Sequence, residues 1–399
     1  MNDNRFNGRR EVLTELLSAH RTTRVDVAST TGLSPATVSR AVDALVSEGI
    51  VRETRDIHTG MRGRRAVLLE VVPDLQHVAG VDLGATTTRV VIANFLGEPV
   101  RSVQVPTPTD KGSAALGQWL AGIVKDAHQD YRPPTAVAVG LPGAVKTDDR
   151  SVSNAPNRRE VEDPAFLGAF QSHLGVTAEI DNDANFALLG EQKFGAARDA
   201  PTAAMMTIGA GLGCAMSIDG RIIRGRRGIV GEFGHLLVGP LGSRLENMVT
   251  GPMLRRRAQE LGHELDSPAD LFRSDRPAVL DAVVSQFDQA LMVALTALIV
   301  SSDPAVVVLG GGIAKSLTSR LGRYEEAIAS NLNVFTPVVN SQLGDFSGAM
   351  GAVVACLQSV YEQLGVSESD LSRLPAARPL GQSELSPAFE RRDAASPTL

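Results

Sequence analysis

Cysteine and aromatic residues are scarce in this chain of 399 residues. Its two cysteines, Cys214 and Cys356, are too few for a disulfide framework and are typical of a reducing cytoplasm. Aromatic residues make up only 4%, whereas alanine, valine, leucine and glycine are abundant, as in ordinary globular proteins. Neither a secretory-type apolar segment at the N-terminus nor an apolar run of about 18 residues occurs, so we expect no secretion and no membrane span.

Lysine is absent from residues 1–72, where all the basic charge comes from arginine. This segment carries a net charge of +2, although the whole chain carries −6. The acidic total argues against a chain coated along its length by nucleic acid, but it allows a local basic surface. At the other end, residues 376–399 are rich in proline, serine, alanine and charge without apolar periodicity, which predicts a disordered tail.

The first 72 residues contain three helical patterns followed by two strand-like runs. The third helical pattern, SPATVSRAVDALVSEG, begins with a capping serine, Ser34, has Pro35 in its first turn and ends at Gly49. A glycine- and arginine-rich hairpin tip, DIHTGMRGRR, joins the strand-like runs. This order predicts a winged helix-turn-helix domain over residues 1–72, whose third helix reads base edges and whose wing contacts phosphates or a minor groove. The predicted DNA-contacting residues are Ser34, Ala36, Thr37, Ser39, Arg40, Arg62, Arg64 and Arg65.

A small helical interaction module with a solvated basic loop is the alternative interpretation of this segment. The turn, the helix cap and the wing all agree with DNA binding, which is therefore favoured. Because a net charge of +2 is modest for a DNA-binding domain, we expect two such domains to act together in an oligomer.

Short apolar strands broken by glycine turns begin near Val78 and alternate with helices, which is typical of an α/β architecture. The segments HVAGVDLGATTTRVVIANF and AAMMTIGAGLGCAMSIDG repeat one strand–turn–strand plan and predict a duplicated, two-lobed fold. We expect a first lobe at 73–195 and a second at 196–375, with the last helix packing back on the first. The turns can cradle phosphates and a nucleotide, although DLGAT alone also fits a simple hairpin turn. The predicted phosphate and nucleotide residues are Asp82, Gly84, Thr86, Gly209, Gly211 and Gly311.

Two further stretches place polar side chains next to glycines and helix starts. Asn182 and Asp183 precede a predicted helix, where they either point into a cleft or only cap the helix. In a cleft, Asp183 would accept a proton from a substrate hydroxyl. Glu232, His235 and Glu246 lie within a second, loop-rich stretch, which suits a metal, acid–base chemistry or a hydroxylated small molecule.

Six motifs occur in the order and rough spacing of the ROK family, named for repressors, open reading frames and kinases. They are DLGAT at 82–86, GLPG at 140–143, DNDAN at 181–185, GAGLG at 209–213, GEFGH at 231–235 and VVLGGGIA at 307–314. The resemblance covers about residues 78–365 and implies an actin-like, two-lobed sugar-kinase fold. It also implies that Asp183 matches the catalytic base of the kinases. The sugar-binding residues implied by the resemblance are Gly140, Asn154, Asn157, Asn182, Asp183, Glu232, His235 and Glu246.

The chain departs from the family pattern in two places. Most members have a cysteine-rich zinc loop between GEFGH and LENMVTG, but here LLVGPLGSR takes its place and both cysteines lie elsewhere. We therefore expect no zinc and no other metal. Family kinases typically have threonine where this chain has Ala210, so the second glycine turn loses a hydroxyl donor, which weakens the prediction of catalysis.

The winged helix in front resembles the regulator branch of the family, whose members bind operators and respond to sugars. We therefore expect a cytoplasmic, sugar-responsive repressor of carbohydrate-metabolism genes that requires no cofactor. Its expected partners are a double-stranded DNA operator, a monosaccharide or sugar-phosphate effector, and further copies of itself in a homodimer or homotetramer. One alternative is an ATP-dependent hexose kinase using ATP and Mg²⁺. Another is a regulator with a vestigial cleft that acts through a protein partner.

Overall fold

The computed structural model describes residues 3–55, 67–238, 242–376 and 378–385. It begins with a winged helix-turn-helix, in which the side chain of Ser34 accepts a hydrogen bond from the Thr37 amide and Pro35 lies in the first turn, as the sequence predicts. A short strand, Arg21–Thr23, was not predicted, since three residues carry no periodicity. The elements of this domain are α1 (Asp3–Ala19), β1 (Arg21–Thr23), α2 (Arg24–Thr31), α3 (Pro35–Ser47), β2 (Val51–Arg55) and β3 (Val67–Val71), with strand order β1-β3-β2.

The first lobe is built on a five-stranded sheet of order β10-β7-β4-β5-β6. Strands β4, β5 and β6 form an antiparallel meander, and β7 and β10 add to it in parallel. Its elements are β4 (His77–Leu83), β5 (Thr87–Asn94), β6 (Pro99–Pro106), α4 (Ser113–His128), β7 (Ala136–Leu141), β8 (Ala144–Val145), β9 (Val152–Ser153), α5 (Pro164–Leu174), β10 (Ala178–Asn182) and α6 (Asp183–Phe194).

The second lobe repeats this plan with a sheet of order β13-β12-β11-β16-β17. Again the first three strands in sequence are antiparallel and the last two add in parallel. Its elements are β11 (Ala203–Ile208), β12 (Leu212–Ile218), β13 (Arg221–Ile222), β14 (Leu237–Val238), β15 (Ser243–Arg244), α7 (Glu246–Val249), α8 (Gly251–Glu260), α9 (Asp281–Ser302), β16 (Val306–Gly310), α10 (Leu321–Leu332) and β17 (Val338–Asn340).

The chain then returns to the first lobe through α11 (Ser347–Gln363) and ends with α12 (Glu368–Leu371) and α13 (Gln382–Leu385). Helix α11 crosses the first sheet so closely that a Cβ on Gly80 of β4 would lie 2.1 Å from the Ala349 carbonyl oxygen. Glycine is therefore required at that crossing. One apolar core contains residues of α11, of the first sheet and of the winged helix, so these three parts pack together.

The disordered tail expected over 376–399 needs a correction at its start. Leu380 and Leu385 are buried in the core shared by α11 and the first sheet, and the Leu380 amide donates to the Phe194 carbonyl. Residues 378–385 are therefore packed, because two leucines supply apolar contacts that the surrounding composition concealed. Residues 386–399 lie outside the described part of the chain.

Within the described ranges, one helical segment, Ala278–Ser302, has the length and mean hydropathy (1.7) of a membrane-crossing helix. It includes α9, whose side chains Phe287, Leu291 and Leu295 are buried in the core of the second lobe. Burial within the protein accounts for its apolar composition.

Candidate functional site

A cleft of about 750 Å³ lies between the two lobes, a size typical of small-molecule sites. Its lining includes carboxylate and asparagine side chains and the glycine turns of both lobes. The predicted sugar and phosphate residues that line it are Asp82, Gly84, Thr86, Asn154, Asn157, Asn182, Asp183, Gly209, Gly211, Glu232, His235, Glu246 and Gly311.

Gly140 is the predicted sugar residue that the structure places elsewhere. It lies in β7, buried between Asp82 of β4 and Asp181 of β10 in the sheet register, and a Cβ there would approach the Phe186 ring at 3.3 Å. It therefore supports the floor of the cleft and does not line it. Gly143, three residues later, lines the cleft with a φ of 95°, a conformation that favours glycine.

Asn182 and Asp183 stand where β10 ends and α6 begins. The Asn182 Oδ1 accepts hydrogen bonds from the Ala184 and Asn185 amides at 2.9 and 3.2 Å, and its Nδ2 donates to the Gly143 carbonyl at 3.0 Å. The capping interpretation is therefore correct for Asn182, although it also lines the cleft.

Asp183 has a different environment from its neighbour. Burial raises the pKa of its carboxyl to about 6, with the charge of Glu232 adding to the rise and the Ala184 amide opposing it. A buried carboxyl that titrates near neutrality inside a cleft is typical of proton-transfer and ligand-binding sites.

Glu232, His235 and Glu246 come together at the start of a short helical turn, Phe233–His235. The His235 Nε2 lies 3.6 Å from Glu232 Oε2, and an arginine, Arg244, lies 3.7 Å from Glu246. Burial, with the nearby charge of Glu246, raises the pKa of Glu232 to about 7. This cluster offers carboxylate acceptors and an imidazole, the groups that recognise vicinal hydroxyls.

The donor set of this region does not fit a four-ligand zinc site. Cys214 is buried in β12 and Cys356 in α11, in separate apolar cores. In the part of the chain that the structure describes, no group of three or more histidine, cysteine, aspartate or glutamate side chains is arranged to hold a metal. The short β14–β15 hairpin follows His235 directly.

The first glycine turn, at residues 84–86, is braced through its carbonyl groups. The buried guanidinium of Arg158 donates to the Ala85 carbonyl from Nε at 3.0 Å and also reaches the Pro108 carbonyl at 2.7 Å. The Thr107 hydroxyl donates to the Gly84 carbonyl at 3.0 Å. Side chains from two other segments therefore hold this turn in place against the cleft.

Asp82 precedes that turn and lies at the same end of the cleft. Burial raises the pKa of its carboxyl to about 7, although Arg89 at 3.8 Å opposes the rise. Arg89 also lies 3.5 Å from Asp345, which precedes α11. Sequence reasoning missed Arg89, Asp345 and Arg158. Arg158 could have been identified from the sequence, because it directly follows Asn157, a predicted sugar-binding residue.

The second glycine turn, at residues 209–213, relies more on backbone bonds. The Gly209 amide donates to the Gly211 carbonyl at 3.0 Å, and the Gly251 amide donates to the Gly209 carbonyl at 2.8 Å. Thr207 adds a long hydroxyl bond of 3.4 Å to the Gly213 carbonyl. Ala210 at the centre of this turn offers no hydroxyl to the cleft.

Among the predicted DNA-contacting residues that the structure describes, some side chains are exposed and others take part in hydrogen bonds within the protein. Ala36 and Arg40 of α3 are exposed, whereas the hydroxyls of Ser34 and Thr37 bond to each other at 2.9 Å. Ser39 is half-buried, and its carbonyl accepts from Arg24 at 3.1 Å. The predicted wing residues Arg62, Arg64 and Arg65 lie outside the described part of the chain.

Arg24 also fixes the orientation of α3. Its Nη2 lies 2.7 Å from both Asp43 of α3 and Glu53 of β2. One guanidinium thus joins the predicted recognition helix to the strand that leads into the wing.

Comparison with protein families matches residues 78–359 to the ROK family and residues 9–52 to a winged helix-turn-helix DNA-binding family. The chain is 32% identical over 224 residues to a putative xylose repressor of Caldicellulosiruptor sp. (strain Rt8B.4), covering 55% of this chain and 56% of that protein. It is 26% identical over 359 residues to the N-acetylglucosamine repressor of Escherichia coli O6:H1, covering 82% and 87% of the two chains.

The chain spans just over half the length of the xylose-repressor relatives that it matches, 56% and 57%. A solved structure of a ROK family transcriptional regulator, a homologue of the E. coli MLC protein, superimposes with a TM-score of 0.72 at 20% identity. That match covers 93% of this chain and 98% of the other, so the fold extends through the winged helix and both lobes.

Proposed function

The chain belongs to the ROK family, and we propose that it is a sugar-responsive transcriptional regulator that represses carbohydrate-metabolism genes. The observation that carries this proposal is that one chain combines a winged helix-turn-helix with a cleft lined by carboxylates and asparagine amides. Relatives named as xylose and N-acetylglucosamine repressors support the same assignment.

Within this proposal the cleft binds a monosaccharide or a sugar phosphate. The carboxylates accept hydrogen bonds from sugar hydroxyls, and the asparagine amides both donate and accept. Because Asn182 uses much of its amide for capping, the main acceptors are Asp183, Glu232 and Glu246. The remaining sugar contacts come from His235, Asn154 and Asn157, all of which line the cleft. No cofactor is required for this role.

Residues 1–72 form the DNA-binding domain, which binds a double-stranded DNA operator. Ala36 and Arg40 are exposed on the first half of α3 and are assigned to base edges, and Arg62, Arg64 and Arg65 are assigned to phosphates. A dimer or tetramer in the cytoplasm places two such domains on half-sites about 34–36 Å apart. Sugar binding changes the spacing of the two domains and so changes operator affinity.

A hexose kinase is the second candidate, since Asp82, Thr86 and Asp183 all line one cleft. In that role Asp183, with its raised pKa, would take the proton of the attacking hydroxyl. Bound ATP and Mg²⁺ would supply the phosphoryl group and neutralise its charge. Ala210 in the second turn weighs against this activity, because one donor to a developing charge can contribute about 2.7–4 kcal/mol.

Fluorescence anisotropy on DNA from upstream of the chain's own gene tests the proposal. At fixed salt, D-xylose, N-acetylglucosamine, D-glucose, D-mannose and D-fructose are titrated into the complex. We expect the complex to form and one sugar to change its dissociation constant. DNA binding without any sugar response would remove the effector role from the cleft. ATP-dependent phosphorylation of one of these sugars, without DNA binding, would favour the kinase.

A further inference from the structure

Helix α11 extends from the cleft to the DNA-binding domain. Its first turn, Ser347 and Gly348, lines the cleft, where a Cβ on Gly348 would lie 3.0 Å from the Asp82 carboxyl carbon. Its C-terminal cap is Leu364. At a rise of 1.5 Å per residue, this helix spans about 26 Å, so its two ends lie in different functional parts of the molecule.

The same helix is fixed to α6, which begins at Asp183. Gly351 approaches the Phe186 carbonyl so closely that a Cβ would lie 1.7 Å from the oxygen, and Gly190 approaches the Ser347 carbonyl in the same way at 2.4 Å. Backbone meets backbone at both contacts, so neither helix can shift without displacing the other.

A fully buried carboxylate strengthens this contact at its cleft end. Glu191 of α6 accepts hydrogen bonds from the hydroxyls of Ser347 and Ser341 at 2.9 and 2.6 Å and from the Leu343 amide at 3.0 Å. A ligand contact at Asp183 therefore acts on α6 and α11 as one unit.

The far end of α11 meets Arg9 of α1. The Arg9 Nη1 donates to the Leu364 carbonyl at 2.8 Å. The opposite edge of the same guanidinium faces Glu48, with Nη2 at 2.5 Å from Oε2 and Nε at 3.4 Å from Oε1. Glu48 is the C-terminal cap of α3, the predicted recognition helix. A planar guanidinium can make both contacts at once, which an ammonium group cannot reproduce.

We infer that Arg9 is the positioning residue that transmits the state of the cleft to the recognition helix. A shift of α11 moves the Leu364 carbonyl, and the guanidinium then pulls Glu48 and the end of α3 or loses one of its two contacts. Helix shifts of about 1–2 Å are typical of such switches. Because the Arg9–Glu48 pair is partly exposed, it adds little to folding stability. Its loss is therefore expected to change how strongly the cleft alters DNA affinity. This inference rests on the proposed DNA-binding function.

The test uses the full chain, a DNA site selected from a randomised duplex pool, and two perturbations of the cleft. One is titration with D-xylose or N-acetylglucosamine. The other is Gly348→Ala, which needs no sugar because the added methyl crowds Asp82. In the otherwise wild-type chain we expect either perturbation to change the DNA dissociation constant by at least about fivefold.

Arg9→Met should reduce that change to less than about twofold, which is below the roughly fivefold lower end of typical allosteric coupling. Sugar affinity in the absence of DNA and the Tm should stay near their wild-type values. The matched control is Arg101→Met, which removes another partly exposed pair, with Asp130 at 2.8 Å, from the first lobe. It should keep the full response. Glu48→Gln and Arg9→Lys, which alter the contact more mildly, should also lower the response.

Each outcome decides the inference. An undiminished response in Arg9→Met overturns it and leaves the proposed regulator in place. A DNA affinity that neither sugar nor Gly348→Ala alters also overturns it, since the cleft and the DNA-binding domain are then uncoupled. If the wild-type chain selects no DNA from the pool, the proposed function itself fails. A smaller response of DNA affinity in Arg9→Met, Arg9→Lys and Glu48→Gln, together with a full response in Arg101→Met, supports the inference.

Discussion

The two lobes share one strand plan, yet their glycine turns are held in different ways. In each lobe an antiparallel meander is extended by two parallel strands, and the first turn of the meander faces the cleft. The first turn is braced by Arg158 and Thr107, whereas the second is held chiefly by backbone bonds and has Ala210 at its centre. A repeated topology thus places the turns, and the side chains around each turn determine how firmly it is held.

This asymmetry agrees with a protein that binds a ligand between its lobes without needing to stabilise a transition state. Phosphoryl transfer depends on donors placed on both sides of the developing charge. In the proposed regulator, binding of a sugar depends on Asp183 and the carboxylates near it, which line the cleft and belong to neither turn. Three variants and one change of pH test how the two turns and the carboxylates between them differ in role.

Loss of the brace on the first turn should have the largest effect. Arg158→Met leaves the half-buried carbonyls of Ala85 and Pro108 without their side-chain donor, and a buried group that loses its partner costs about 1–3 kcal/mol. We expect the free energy of unfolding to fall by about 3 kcal/mol, measured by urea denaturation. The adjacent exposed Arg159 provides the matched control. Arg159→Met should change the free energy of unfolding by less than about 0.5 kcal/mol. Equal stability of the two variants would mean that the first turn is not held by Arg158.

Removal of the Asp183 carboxylate should weaken sugar binding by about 10- to 100-fold, the equivalent of about 1.5–3 kcal/mol for a charged hydrogen bond. Asp183→Ala should leave operator affinity in the absence of sugar intact, because the truncation adds no atoms that would displace α6 or α11. Isothermal titration calorimetry gives the first quantity and anisotropy the second. Asp130→Ala removes an exposed carboxylate that pairs within the first lobe and should change neither. Wild-type sugar affinity in Asp183→Ala would remove this residue from the proposed site.

Acidification should weaken sugar binding over a pH range that is set by the pKa values of the carboxyls in the cleft. The pKa of Asp183 is raised to about 6 and that of Glu232 to about 7, mainly by burial. Their ionised forms are the better acceptors for sugar hydroxyls, so affinity is highest well above pH 7 and falls as Glu232 binds a proton around pH 7 and Asp183 around pH 6. Between pH 8 and pH 6 we expect about a tenfold loss, since one pKa unit corresponds to about 1.4 kcal/mol. Glu232→Gln should flatten the profile near pH 7, and a pH-independent affinity in the wild type would contradict the assignment.

Local sequence signals predicted much of the fold. Ser34, Pro35 and Gly49 marked the limits of α3, and the two glycine turns revealed the duplicated plan, because caps and turns depend on neighbouring residues. Gly140 was assigned to the wrong place because its motif gives proximity to the cleft but not the strand register that buries it. The position of Leu385 in the core depended on a distant surface that composition does not reveal.

The contacts that brace and couple the site were not predictable from the sequence. Asp345 meets Arg89 only because α11 returns to the first lobe, and Arg9 meets Leu364 across 355 positions of the chain. Such pairs depend on how helices and sheets cross, which no periodicity in the sequence specifies.

The smallest effect should come from restoring a hydroxyl to the second turn. Ala210→Thr supplies one neutral donor to the cleft, and such a hydrogen bond contributes about 0.5–1.5 kcal/mol, or roughly two- to thirteenfold in affinity. We expect a gain of about threefold for the ATP analogue AMPPNP, measured by calorimetry in the presence of Mg²⁺, with sugar affinity unchanged. Thr86→Ala in the first turn is the reciprocal variant and should lose a similar factor. If Ala210→Thr has no effect while Thr86→Ala weakens AMPPNP binding, only the first turn donates hydrogen bonds to the phosphates. The second turn then forms a wall of the cleft without contributing a side-chain donor.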